Sequence, residues 1–210
     1  MNKKTQKLAL SGIMIALGTI LSFITVYRLP YGGSITLLSM LPILLVGYIY
    51  GTGWGLLTGI IYGIIQALLG AVTSSAFAGL DVLSVILVCV LDYLVAFGVL
   101  GLACIFKNKI KSVSTSFGLG VFVATFLRYV THFISGYIVY GSYAEWFFSQ
   151  EEVTFGQTIL SAYSGKALAA IYSLIYNATY MVPEIILSVI AGVILINIPQ
   201  IKKICKKGSL

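Results

Sequence analysis

The sequence predicts an all-α, polytopic membrane protein with six transmembrane helices and both termini in the cytoplasm, and three observations carry that reading. Of 210 residues, 59% are hydrophobic and only 9% charged, with a mean hydropathy of +1.03, whereas soluble domains carry roughly 25% charged residues. The apolar residues gather into six long runs, and the basic residues cluster on one side of them. Six spans of about 20 residues joined by short loops use up the whole chain, so residues 1–210 read as a single membrane domain.

The runs cover residues 8–27, 35–50, 53–71, 82–106, 115–140 and 168–198. The first follows Lys3, Lys4 and Lys7 like a secretory leader, but it continues to Tyr27 without a small-x-small cleavage site and is read as a membrane helix. Pro30-Tyr31-Gly32-Gly33 closes it, Gly51-Thr52-Gly53 divides the second run from the third, and Thr73-Ser74-Ser75 opens the next loop. The longest break, Gly141 to Ala167, is polar and acidic. Pro42 and Pro183 fall inside runs, where a proline kinks or interrupts a helix. No internal repeat supports an inverted-repeat carrier.

Charge sets the orientation. Lys3, Lys4 and Lys7, then Lys107, Lys109 and Lys111, then Lys202, Lys203, Lys206 and Lys207 place ten of the thirteen basic residues on one side, which the positive-inside rule makes cytoplasmic. The same clustering accounts for the net charge of +7 without nucleic acid. Cys89, Cys104 and Cys205 show no metal-ligand spacing and are odd in number, so neither a metal nor a disulfide is expected.

Ionisable groups within a span cost a few kcal/mol at the bilayer centre and call for a partner or a purpose. Asp92, Arg128, His132 and Glu184 are such groups. At about 1.5 Å per residue, His132 lies roughly 12 Å and Arg128 roughly 18 Å below the end of the fifth run at Tyr140, while Asp92 lies roughly 15 Å in from Asp81. Tyr172 and Asn177 enter the same layer from the sixth run. Arg128, His132, Gly136 and Tyr140 recur at steps of four and form one stripe, which Gly136 opens to close approach by a ligand or another backbone. Asp92 is placed either to neutralise Arg128 as an ion pair or to serve a ligand, and Glu184 to be paired or protonated. Tyr143 and Trp146 read as an interfacial aromatic belt. An acid, a histidine, an asparagine and several tyrosines suit a small organic ligand, and a cationic ring finds both a counter-charge and π faces there.

No catalytic motif accompanies this layer: there is no G-x-S-x-G and no H-E-x-x-H, and Gly165-Lys166 lacks the earlier glycine of a phosphate loop. The chain is read as a non-enzyme without cofactor or nucleotide site, dependent on a partner for energy. Gly12-x-x-x-Ala16 on the first run is a small-residue pair suited to close helix contact, with a partner or with a neighbouring span.

The stretch Arg128-Tyr129-Val130-Thr131-His132-Phe133-Ile134-Ser135-Gly136-Tyr137-Ile138-Val139-Tyr140-Gly141-Ser142-Tyr143-Ala144 resembles the fifth-helix signature of the thiamine-specific substrate-binding (S) components of energy-coupling-factor (ECF) vitamin transporters. Leu91-Asp92-Tyr93-Leu94-Val95-Ala96 and Tyr172-Ser173-Leu174-Ile175-Tyr176-Asn177 extend the resemblance over essentially the whole chain. It implies a multi-pass protein of a bacterial cell membrane that captures thiamine from outside. ATP is used only by partners, a transmembrane coupling subunit and two ATPase subunits. It implies that Asp92, His132, Tyr172 and Asn177 surround the two rings, that Tyr93 and Tyr140 supply aromatic walls, and that Gly136 and Arg128 line the deep side. Gly12 and Ala16 match the motif that meets the coupling subunit. Two departures stand out: Asp92 is shorter than the glutamate the family can carry, and Tyr140 and Tyr31 stand where tryptophans can occur. The rival readings are an S component for another vitamin, a self-sufficient proton-coupled carrier using Asp92, His132 and Glu184, and an intramembrane enzyme built on His132.

Overall fold

A computed structural model describes residues 2–28, 33–73 and 76–206, with the side chains of Arg28 and Lys206 left aside. Pro30, Tyr31 and Gly32, with the lid suggested for Tyr31, lie outside the described residues, as do Ser74, Ser75 and Lys207.

Among the described residues five helices are long and apolar enough to cross a membrane: α1 (Lys3–Phe23), α3 (Thr52–Thr73), α4 (Val82–Cys104), α5 (Val113–Val139) and α8 (Gly165–Ile196). A short helix, α2 (Leu41–Tyr50), sits between α1 and α3 in sequence. The acidic break carries two more short helices, α6 (Ala144–Phe148) and α7 (Gly156–Ala162), and α9 (Pro199–Lys206) follows α8. Side-chain oxygens start three of the long helices: Asn2 accepts from the Lys4 N–H, Asp81 from Ser84 and Ser112 from Thr115. In the exposed Asp81 cap, those hydrogen bonds hold the carboxyl below its usual pKa.

The expected second span, residues 35–50, is different. It opens as a strand, β2 (Ser34–Thr36), paired antiparallel with β1 (Thr25–Arg28), and becomes helical only at Leu41. The turn between passes through Leu38, whose φ of 59° is uncommon for a residue with a side chain. Pro42 therefore kinks nothing: it stands in the first turn of α2, where a missing N–H costs little. Every residue from Leu41 to Ile49 is buried, as expected of a helix that is apolar all round. The Lys107 ammonium caps the far end, donating to the carbonyls of Tyr48 (2.7 Å) and Ile49 (3.1 Å). Burial of that amine lowers its pKa.

Close helix approach, rather than apolar burial alone, holds the bundle together, because lipid is as apolar as leucine. Gly55, Gly59 and Gly63 recur every fourth residue along α3 and face α4; a Cβ built on Gly55 would lie 2.7 Å from the Gly101 Cα. On α5, a Cβ on Gly120 would run into the Ala103 carbonyl. α1 is tied to α3 through Trp54 donating to Ser11 (2.8 Å) and Tyr62 donating to the Gly18 carbonyl (3.1 Å). Gly12 has nothing within 4 Å of its Cβ position. Gly120→Ala should thus lower stability by about 1–3 kcal/mol and Gly12→Ala leave it within about 0.5 kcal/mol, read as thermal unfolding of the purified protein in detergent.

Candidate functional site

The site is assembled where α4 leaves α-helical geometry. Residues Cys89–Val95 form a π-helical stretch, a local widening that occurs often at functional positions, and Asp92 lies within it. Its carboxylate is taken by two residues of α5 one turn apart: His132 Nδ1 lies 2.7 Å from Oδ1, and the Ser135 hydroxyl donates to Oδ2 at 2.6 Å.

The ion pair with Arg128 open to Asp92 on sequence grounds is not the arrangement found. The Arg128 guanidinium lies over the Phe97 ring at 3.8 Å from its centroid, and its Nε and Nη1 make no hydrogen bond. The planar group stays within electrostatic range of Asp92, Glu184, Tyr62 and Tyr180. Glu184 is paired, accepting from the Thr36 backbone and hydroxyl.

α8 supplies the facing wall. Asn177 Nδ2 donates to the Ser173 carbonyl (2.8 Å) and to the His132 carbonyl (3.2 Å), while its oxygen accepts from the Tyr180 hydroxyl. Asn177 is thereby locked as a bridge between α8 and α5, at 5% exposure. Tyr172 stacks on Tyr176 at 5.6 Å, Tyr180 sits edge-on to Tyr176 at 6.1 Å, and the His132 ring lies 6.0 Å from Tyr180. Phe147 of α6 closes on this ladder, 5.3 Å from Tyr172 and 5.8 Å from Tyr176. His132 Nε2 is left buried without a hydrogen-bond partner, a vacancy that an interior rarely tolerates unless something else fills it.

The structure therefore brings Asp92, His132, Tyr172 and Asn177 into one layer. Tyr140 joins them, within electrostatic range of Asp92, Tyr93 and Tyr176. Tyr93 lies on the α3 side, its ring 5.8 Å from Phe77 and its hydroxyl against Gly70. Gly136 serves helix packing directly: a Cβ there would strike the Ser173 hydroxyl and lie 2.9 Å from Asn177 Nδ2. Tyr143 and Trp146 are about half exposed, as an interfacial belt requires.

Ser135 and Ser173 were given no role by sequence reasoning; both are buried hydrogen-bond donors, Ser173 to the Phe133 carbonyl at 2.6 Å. Tyr180 and Phe147 were also missed. The spacing Tyr172, Tyr176, Tyr180, a repeat of four on one helix, was the available signal. Gly136→Ala should destabilise the protein by about 1–3 kcal/mol, and Ser173→Ala in the same chain should recover part of that loss. A thermal-unfolding cycle with a coupling above about 0.5 kcal/mol establishes the packing role.

Comparison with known proteins identifies the family. The family model described as thiamine transporter protein (Thia_YuaJ) matches residues 8–149. A curated relative, the thiamine transporter ThiT of Bacillus subtilis (strain 168), is 29% identical over 214 residues, covering 96% of each chain. A solved structure of ThiT from Listeria monocytogenes shares the fold at a TM-score of 0.70 and 20% identity, covering 97% of this chain and 99% of that one. The chain thus belongs to the thiamine transporter protein family and is a multi-pass membrane transporter rather than an enzyme.

Proposed function

We propose that this chain is the substrate-binding S component of an ECF importer, capturing thiamine on the non-cytoplasmic side. A coupling subunit and two ATPase subunits then energise its delivery inward. The observation that carries the reading is the Asp92 carboxylate, fixed between His132 and Ser135 at the foot of the Tyr172, Tyr176 and Tyr180 ladder. Thiamine is a cation whose thiazolium ring is flat and aromatic and whose aminopyrimidine presents donors and acceptors. A fixed carboxylate matches the charge, tyrosine faces match the rings, and the unpartnered His132 Nε2 offers a hydrogen bond to an edge. Asn177 and Tyr172 complete the inner surface, Tyr93 and Tyr140 the aromatic flanks, and Arg128 and Gly136 the deep side.

The topology fits six crossings with cytoplasmic ends. The pass between α1 and α3 is then made by the extended residues 33–36, the turn after them and α2 together, and all ten clustered lysines fall on one side. Gly12 and Ala16 are exposed on α1, which leaves them available to a coupling subunit.

Titrating the purified protein in detergent with thiamine, against riboflavin and biotin as controls, should quench intrinsic tyrosine and tryptophan fluorescence selectively. No response from folded protein sinks the assignment. Asp92→Ala and Asn177→Ala should each weaken binding at least tenfold, about 1.4 kcal/mol, without unfolding the protein. Near-unchanged affinity in both removes the assigned residues while leaving the ligand class open.

A further inference from the structure

β2 has β1 along one edge only, so donors on its other edge must find partners elsewhere. The Thr36 N–H is such a donor, and together with the N–H of Gly33, just ahead of the strand, it reaches α8. The Gly33 N–H donates to the Tyr176 hydroxyl at 2.9 Å, and the Thr36 N–H and hydroxyl both donate to Glu184 Oε1, the hydroxyl at 2.9 Å. Tyr176 and Glu184 are eight residues, about 12 Å, apart along α8. Gly33 and Thr36, three residues apart in extended chain, span roughly 10 Å. The strand therefore runs beside α8 and is fastened at both ends.

Depth explains why a carboxyl is needed at the lower end. Glu184 lies seven residues, about 10 Å, further along α8 than Asn177, and it is 5% exposed. A non-helical N–H at that depth has no water to turn to and must be satisfied by protein. The Glu184 carboxylate supplies for Thr36 what a preceding turn of helix would otherwise supply, and Ser39 extends the cluster with a 2.7 Å contact to the Thr36 hydroxyl. The upper fastening is of another kind. Tyr176 is the middle ring of the aromatic ladder, so one side chain both lines the site and holds Gly33.

Resting on the thiamine-binding function above, we infer that Glu184 is a positioning residue for ligand retention. It pins Thr36 and thereby keeps Gly33 on Tyr176, so that the strand stays closed against the aromatic wall while a ligand is bound. Glu184 itself makes no hydrogen bond to Asp92, His132 or Asn177, and it acts only through the strand.

Two measurements decide this, one without ligand. Hydrogen exchange over residues 33–40 of the purified, ligand-free protein should be about tenfold faster in Glu184→Ala than in wild type. Glu184→Gln, whose amide oxygen still accepts from Thr36, should stay close to wild type. Thiamine dissociation, followed by fluorescence recovery, should accelerate about tenfold in Glu184→Ala with the association rate changed less, and Glu184→Gln should again restore it. Unchanged exchange in Glu184→Ala overturns the fastening. Faster exchange with an unchanged dissociation rate overturns the retention role. Should Glu184→Ala fail to fold, Thr36→Val, which removes one of the two donors, carries the same test with a smaller shift in the same direction. Wild-type protein that binds no thiamine overturns the function proposed above and leaves the fastening to be judged on exchange alone.

Discussion

The constraint on which this structure depends is that hydrocarbon offers no hydrogen bonds, so every backbone polar group within the membrane must be satisfied by protein. An α-helix meets that condition by itself, and most of the chain is α-helical. The departures are therefore informative. One is the π-helical stretch Cys89–Val95, which carries Asp92; another is the extended segment Ser34–Thr36, whose Thr36 N–H is satisfied by α8. Both lie against the same layer of polar and aromatic side chains. Irregular backbone is tolerated at depth where it lines an interior site, and here two separate irregularities border one site.

Side-chain polarity obeys the same condition. Asn177 uses both ends of its amide, bonding carbonyls of α5 and α8 and accepting from Tyr180. The Ser135 and Ser173 hydroxyls are both placed. Such a network fixes the rotamers of the groups around it, so a ligand meets a carboxylate and rings already in position. Among the described residues of this layer, the buried side-chain atoms without a hydrogen-bond partner are Arg128 Nε and Nη1 and His132 Nε2. Both side chains belong to the α5 stripe, His132 against Asp92 and Arg128 against Phe97.

Much of this was legible in the sequence, and the failures share a cause. Long apolar runs and lysine clusters locate the five long helices, most closely for α3, α4, α5 and α8 and with α1 displaced toward the N-terminus, because they depend on local composition. The step-of-four stripe Arg128, His132, Gly136 and Tyr140 locates the site because helical period is also local. The span at 35–50 was misread because an apolar stretch does not reveal whether its backbone is helical. That answer lies 148 residues away in Glu184, which supplies the partner that makes a strand possible there. The partner of Asp92 was similarly out of reach: charge alone left Arg128 or a ligand open, whereas geometry gave Asp92 to His132 and Ser135 and set the guanidinium over Phe97. Small-residue motifs were equally ambiguous. Gly12-x-x-x-Ala16 stands exposed on α1, while the same spacing at Gly55, Gly59 and Gly63 is spent inside the bundle.

The charge of the buried layer bears on which ligand it suits. Asp92 and Glu184 contribute two carboxyls and Arg128 one guanidinium, and the Asp92 hydrogen bond to Nδ1 is compatible with a neutral His132 ring. Glu184 is taken up by Thr36 and the guanidinium lies over Phe97, so Asp92 is a carboxyl bonded to no arginine or lysine among the described residues, and an uncompensated buried charge is costly. On the proposed function, a ligand with a single positive charge on a flat ring supplies that counter-charge and meets the tyrosine faces at the same time. An anionic ligand of similar size would deepen the imbalance, and a neutral one would leave it. On the proposed function, Asp92 favours a cation by charge and the hydrogen-bonding edges discriminate among cations of similar shape.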